Sequence, residues 1–189
     1  LKKCDKILIG GAMSYTFAKA LGREIGTSPC ELDQLDYALK CYNSGKILLP
    51  VDTICANDFD NPTEVREVPS NNIPDGFEGL DIGPKTEELY KAEIAKAKLI
   101  FWNGPMGVFE DENFQHGTIE VCKAITENKE AFFANPVSHI FCAIKLALRI
   151  CHCFFPTEIA VFVPKQLYFF TFKIFLCIRE SLNMIFGIS

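Results

Sequence analysis

The sequence predicts an α/β protein with a doubly wound parallel sheet, and three observations carry that prediction. Short runs that are apolar on both sides, Lys6 to Ile9, Ile47-Leu48-Leu49 and Leu99-Ile100-Phe101-Trp102, read as buried strands. Amphipathic stretches separate them, as helices covering both faces of a parallel sheet would. Two of the strands run directly into glycine turns, Gly10-Gly11 and Asn103-Gly104. Ligands of such sheets sit beyond the carboxyl ends of the strands, so both turns mark the side where a ligand is expected.

The elements follow in order. The first strand stops at Gly10-Gly11, and Met13 to Leu21 then carries helix-forming residues with Phe17 and Leu21 one turn apart. Glu31 to Asn43 places Leu32, Leu35, Leu39 and Tyr42 at three- and four-residue steps on one helical face, with Gly45 as a stop. Asn57 to Asp75 is rich in Asn, Asp and Pro and reads as surface loop or irregular strand. Thr86 is the expected cap of a helix running to about Ala97, with Glu87 and Glu88 favourably placed against its positive end. Thr118 is the expected cap of a further helix through about Glu127, with Ile119, Cys122 and Ile125 inward.

Composition divides the chain in two. Residues 1–130 are acidic and punctuated by glycine, whereas residues 131–189 have no Asp, a single glycine (Gly187), a net positive charge and eleven of the seventeen Phe residues. Charged residues such as Lys145, Arg149, Glu158, Lys165, Lys173 and Arg179 interrupt the apolar tail before it reaches the roughly eighteen residues of a membrane span. No membrane association is expected. A net charge of −5 also argues against a general nucleic-acid binder, because phosphates would be repelled except at a local site.

The nine cysteines are odd in number and scattered through apolar or helical patterns, which suits reduced thiols in the cytoplasm better than a disulfide framework. Cys151-His152-Cys153 is the single Cys/His cluster, and its residues are too close, without a second half, for a zinc site. The start, Leu1-Lys2-Lys3-Cys4-Asp5-Lys6, is too polar for a secretory signal.

The chemistry concentrates in Trp102-Asn103-Gly104-Pro105-Met106-Gly107-Val108-Phe109-Glu110. Glycines at 104 and 107 leave backbone N–H groups uncrowded, and such a concavity can hold a nucleotide. Asn103 offers a neutral donor, and Glu110 a carboxylate able to accept hydrogen bonds from ribose hydroxyls. The plain structural reading is a tight strand-to-helix connection.

With its neighbours, this string resembles the nucleotide loop of phosphoglycerate kinases, in their C-terminal domain. The resemblance continues through Ile9-Gly10-Gly11-Ala12-Met13-Ser14-Tyr15-Thr16-Phe17, through Ile47-Leu48-Leu49-Pro50-Val51-Asp52, and through the run from Ile73-Pro74-Asp75-Gly76 to Gly79-Leu80-Asp81-Ile82-Gly83-Pro84. It ends near Phe114-Gln115-His116-Gly117-Thr118 and covers about residues 1–130. It implies a Rossmann-like fold, a glycolytic kinase activity, and ATP or ADP with magnesium as ligands. Gly11 and Ala12 resemble the wall of the adenine pocket, completed by Phe59, Gly79, Leu80, Pro105, Gly107 and Val108 around Gly104. Asn103 resembles the residue that reaches the nucleotide phosphates, and Glu110 the ribose ligand. Leu80 and Val108 would be buried in almost any α/β domain, and Phe59 could serve as a loop anchor.

Three departures from the family pattern bear on activity. The basic Gly-Ala-Lys motif and its following Lys are missing ahead of the first strand, and so is the glycine-rich turn whose Asp places the metal. The N-terminal domain that holds 3-phosphoglycerate is missing as well. No catalytic or metal-ligating residue is therefore assigned, and 3-phosphoglycerate is expected to be reached only through the absent domain. The family is usually monomeric. The expectation is a partial nucleotide domain over 1–130 followed by a divergent Phe/Cys-rich tail over 131–189. Three outcomes stay open: a kinase fragment, a non-catalytic nucleotide-binding module, or an unstable, non-functional product whose exposed apolar tail prevents a closed sheet, since missing strands leave edges unpaired.

Overall fold

The computed structural model describes residues 1–70, 72–134 and 175–179. The chain begins with β1 (Lys6–Ile9), α1 (Ala12–Ala20), β2 (Glu24–Ile25), a 3-10 turn (Leu32–Gln34), α2 (Leu35–Tyr42), β3 (Ile47–Leu48) and β4 (Asp52–Ala56). It continues with β5 (Val65–Pro69), β6 (Asn72–Ile73), β7 (Glu78–Ile82), α3 (Pro84–Ile94), β8 (Leu99–Trp102), α4 (His116–Glu127), β9 (Phe132–Ala134) and β10 (Phe175–Arg179). The Cys151-His152-Cys153 cluster and most of the divergent tail lie outside the described residues.

The main sheet has the order β3-β1-β10-β8-β9. β3 pairs parallel with β1, and β9 parallel with β8. β10 lies between the two pairs and runs antiparallel to both, with Ile9 opposite Phe175 and Trp102 opposite Leu176. The α/β class is as expected, but the sheet is mixed, because a segment of the Phe-rich tail takes a central position in the reverse direction. β10 pairs with both β1 and β8 along their length.

Helices cover both faces. Successive residues of a strand point to opposite sides, so Leu8 enters one core and Ile9 the other. Leu8, Ile100 and Trp102 pack with Tyr90 and Ile94 of α3 and with Val121 and Ile125 of α4. Ile9 packs with Phe17 of α1 and with Ala38 and Cys41 of α2 on the opposite face. The Tyr90 hydroxyl, fully buried, donates to the Ile9 carbonyl at 2.6 Å and ties α3 to the end of β1.

Part of the segment read as loop or irregular strand is β-structure. β5 and β7 flank β4 antiparallel in a three-stranded sheet, and β6 pairs with β2. β5 is missed by periodicity because its residues alternate weakly and are mostly exposed. The helix beginning at residue 31 is likewise shorter than expected. A 3-10 turn precedes α2, Leu32 is 68% exposed, and the buried side is Ala38 and Cys41. Small residues there allow α2 to lie against α1, a choice the larger leucines obscure.

The expected cap of α3 is also corrected. Pro84 opens the helix, as its fixed φ and missing N–H permit, and Gly83 is the cap residue. Thr86 lies inside the first turn. Its job is taken across the fold by Asp52 of β4, whose carboxylate accepts the Lys85 N–H and the Thr86 N–H, both at 2.8 Å, and the Thr86 hydroxyl. The Thr86 hydroxyl oxygen accepts the Val51 N–H at 3.0 Å. α3 stops at Ile94 rather than near Ala97. Between α3 and α4, Lys91 pairs with Glu120 at 2.7 Å; hydrogen bonds from Lys123 and Lys91 hold the Glu120 carboxyl down to about 2.

Cys4, Cys30, Cys41 and Cys55 are free thiols. No helix among the described residues is long and apolar enough to cross a membrane.

Asp52→Ala removes the buried acceptor that caps α3 and leaves its first N–H groups without a partner. The expected cost is about 3 kcal/mol, combining the loss of a cap with orphaned buried donors. Urea unfolding monitored by circular dichroism checks it: an unchanged midpoint would refute the capping role.

Candidate functional site

The site is built where β1 and β8 end. Gly11 follows β1 with φ 59° and ψ −157°, a backbone region that is essentially glycine-only, and it serves as the cap residue of α1. Its carbonyl accepts the Ser14 N–H at 3.0 Å and the Ser14 hydroxyl at 2.7 Å. Its N–H is turned sideways, donating to the Met106 carbonyl at 2.9 Å.

Met106 is the centre of this arrangement. Its side chain is fully buried, and Gly10 lies so close that a β-carbon there would sit 2.7 Å from the Met106 sulfur. The Met106 N–H donates to the Thr118 hydroxyl of α4 at 2.9 Å, and the Val108 N–H donates to the Leu80 carbonyl of β7 at 2.8 Å. Two loop residues, Met106 and Val108, thus fasten the loop to the turn after β1, to α4 and to β7. The two glycine turns, distant in sequence, form one ledge over the carboxyl ends of the sheet.

Most of the sequence-assigned residues gather on or under this ledge. Gly11 and Ala12 form its β1 side, and Asn103, Gly104, Pro105, Gly107 and Val108 its β8 side. Gly104 has φ 149°, again disfavoured for a side chain, and Gly104 and Pro105 are buried. Leu80 is buried with Ala56 and Phe114, and Val108 packs against that cluster. Glu110 is exposed at the far end of the loop, and Asn103 is half-buried where β8 ends.

Two assigned residues are placed differently. Phe59 is 50% exposed on the loop after β4 and joins no core cluster among the described residues, so it is no loop anchor by burial. The loop around it is held by polar groups instead, with Asp58 accepting the N–H groups of Asp60 and Asn61 and Asn57 accepting those of Thr63 and Glu64. Gly79 is buried beneath the Tyr15 ring, which leaves no room for a β-carbon, and its N–H donates to the Ser28 hydroxyl at 2.9 Å. Its glycine identity answers to Tyr15.

Sequence reasoning passed over several residues that shape the ledge. Thr118, expected as a cap, lies inside α4, whose cap residue is Gln115, and its buried hydroxyl accepts from the loop. Ile119 is only partly buried, and Val121 takes the inward place. Asp81, 2% exposed, accepts the Gly117 N–H and the Ile82 N–H at 2.8 Å each. Burial pushes its carboxyl up to about 7, while the two N–H groups oppose that shift. Beside it, His116 pairs with the buried Glu87 at 2.6 Å. A charged residue inside an apolar strand was the available signal for Asp81.

Similarity to known proteins accords with this geometry. The family model described as phosphoglycerate kinase matches residues 1–146. The chain belongs to the phosphoglycerate kinase family. Phosphoglycerate kinases of Staphylococcus haemolyticus (strain JCSC1435) and Staphylococcus aureus (strain JH9) are each 53% identical over 129 residues, covering 67% of this chain and 33% of theirs. The chain therefore spans about a third of the length of these curated relatives. Among solved structures, phosphoglycerate kinase from Coxiella burnetii is similar with TM-score 0.70 and 31% identity, covering 75% of this chain and 38% of that one. The enzyme from Pyrococcus horikoshii OT3 is similar with TM-score 0.61 and 30% identity, covering 75% and 37%. Membership makes the chain a relative of phosphotransferases of glycolysis, and the family-matched region extends past the 1–130 read from motifs.

Thr118→Val keeps the volume but removes the acceptor of the Met106 N–H. It should cost about 2 kcal/mol of unfolding free energy, the range for an orphaned buried donor, whereas Thr118→Ser should be close to neutral. Equal denaturation midpoints for the two variants would show that this tie contributes nothing.

Proposed function

We propose that this chain carries part of the ATP/ADP site of a phosphoglycerate kinase, the enzyme that moves a phosphoryl group between 1,3-bisphosphoglycerate and ADP to give 3-phosphoglycerate and ATP. The observation that supports this most is the ledge: Gly11 and residues 103–108 are fastened into one surface through Met106. Such a surface, made of main chain and small residues beyond the strand ends, suits a flat base and a polyanionic tail. Gly11, Ala12, Leu80, Pro105 and Val108 would face the base, Asn103 the phosphates, and Glu110 the ribose hydroxyls. Phe59 and Gly79 complete the adenine wall in this reading. Magnesium would arrive on the nucleotide phosphates, since it favours phosphate oxygens and retained waters.

Phosphoryl transfer depends on in-line positioning and on neutralising charge in flight. Residues 1–189 supply only part of the nucleotide side of that arrangement, and the 3-phosphoglycerate side is proposed to lie on another part of the enzyme. The reading is accordingly of a half-site that binds nucleotide without turnover, in a monomeric, cytoplasmic protein without nucleic-acid or membrane partners. The second reading, favoured by the unusual central β10, is a truncated product with no useful affinity.

Trp102 is the sole tryptophan; it is buried, with its indole N–H unpartnered among the described residues, and it adjoins Asn103. Titration with magnesium-ADP should give a saturable change in its fluorescence that Asn103→Ala weakens by about tenfold, the loss of one good hydrogen bond to a charged group. No ATP should form from 1,3-bisphosphoglycerate and ADP. A flat titration of folded protein would favour the second reading.

A further inference from the structure

Asp81 is a buried acid that the proposed chemistry does not use, and its surroundings are unusually specific. Its carboxylate lies between two glycines from different elements. A β-carbon on Gly107 of the loop would collide with Asp81 Oδ1 and lie 2.5 Å from the Leu80 carbonyl oxygen. A β-carbon on Gly117 of α4 would lie 2.5 Å from the same Oδ1. Meanwhile Oδ2 accepts the Gly117 N–H, at the positive end of α4. The carboxylate therefore lies in the space that a side chain on Gly107 would need and, together with the Ile82 side chain, in the space at Gly117, touching loop and helix together.

We propose that Asp81 is a positioning residue for nucleotide binding, setting the distance of residues 106–108 from the start of α4. The inference rests on the nucleotide reading above. The ties from Met106 to Thr118 and from Val108 to Leu80 orient the loop, but both are single hydrogen bonds at its margins. Asp81 is the solid contact between them. Without it, Gly107 and Gly117, which have no side chains to meet each other, are separated by a gap, and the loop sinks or loosens.

The charge state of this wedge adds a second handle. The titratable groups that act on Asp81 are Glu87 of α3 and His116 of α4, and Tyr15 of α1 in turn feels the Asp81 charge. The Asp52 carboxylate is turned to the start of α3, and Tyr15 is pushed up by burial and by Asp81, so it stays neutral. Glu87 raises the Asp81 carboxyl and His116 lowers it, both less than burial does. Because the folded value, about 7, lies above the ordinary 3.8, the fold favours the neutral acid. That contribution to stability is full below the ordinary value and is lost as pH rises toward 7. A polyanion on the ledge raises the carboxyl further, so nucleotide affinity should fall as pH climbs from 6 to 8.

The test compares the full chain with Asp81→Asn and Asp81→Ala, using magnesium-ADP as the probe and Trp102 fluorescence as the readout. Asp81→Asn keeps the volume but has one acceptor oxygen for the two N–H groups of Gly117 and Ile82; it should bind, and its affinity relative to the unmodified chain should change by about threefold between pH 6 and pH 8, half a unit of linked titration. Asp81→Ala should bind at least about tenfold more weakly, the loss of one buried charged hydrogen bond. Amide hydrogen exchange without nucleotide provides a separate reading. In Asp81→Asn at pH 8, the amides of Met106 to Val108 and Gly117 should exchange faster than in the unmodified chain, with β4 unchanged. Equal exchange at those amides, or equal affinity ratios at both pH values, would overturn the proposal. If the unmodified chain gives no saturable titration while loop exchange still responds to Asp81→Asn, then the nucleotide reading fails and Asp81 remains only a loop-setting residue, which also overturns its role in binding. Should Asp81→Ala not fold, the Asp81→Asn comparisons decide alone.

Discussion

Burial of Met106 against Gly10 is the constraint on which the rest of the site depends. A β-carbon at Gly10 would crowd the Met106 sulfur at 2.7 Å, and the neighbouring Gly11 N–H donates to the Met106 carbonyl at 2.9 Å. The two turns belong to strands separated by β10 in the sheet, so backbone pairing within β1 and β8 does not join them directly. Main-chain hydrogen bonds through a buried methionine do. Methionine suits the place because its unbranched, polarizable chain fills irregular space without demanding a partner.

A second regularity runs through the other face of the same region. Buried carboxylates from β-strands meet the first turns of two helices: Asp52 at α3 and Asp81 at α4. Each satisfies N–H groups that no intrahelical carbonyl can reach, and each places its charge at the positive end of a helix dipole. Their glycine neighbours have no room for a β-carbon: Asp52 stands against Gly83, Asp81 and the Leu80 carbonyl against Gly107, and Ile82 and Asp81 against Gly117. Helix placement, loop placement and glycine identity thus have one cause. The His116–Glu87 pair, joining the starts of α4 and α3, keeps the two capped ends together.

Much of this was legible in residue patterns. Buried strands announce themselves as continuous apolar runs, so β1, β3 and β8 were readable, as were the glycine turns that end β1 and β8. What was not readable follows from distance in sequence. Thr86 and Thr118 look like caps because a threonine before a helical run usually is one, but both hydroxyls bond to remote main chain, Val51 and Met106. Leu32 looks inward by periodicity, yet it is exposed because the smaller Ala38 and Cys41 let α1 approach. That Gly79 lies against the Tyr15 ring, which leaves no room for a β-carbon, is a meeting of residues far apart in sequence.

By itself the sequence determined the α/β class, the family and the glycine turns that end β1 and β8. These are set by local period and by ordered short motifs, and such signals survive without knowledge of what lies across the fold. Tertiary structure alone decided that β10 lies antiparallel between β1 and β8, that Met106 joins the two turns, and that Asp81 is wedged between Gly107 and Gly117. Each of these depends on groups tens of residues apart meeting at van der Waals or hydrogen-bond distance. A one-dimensional pattern carries no record of such meetings, because close packing is a property of volumes and not of intervals.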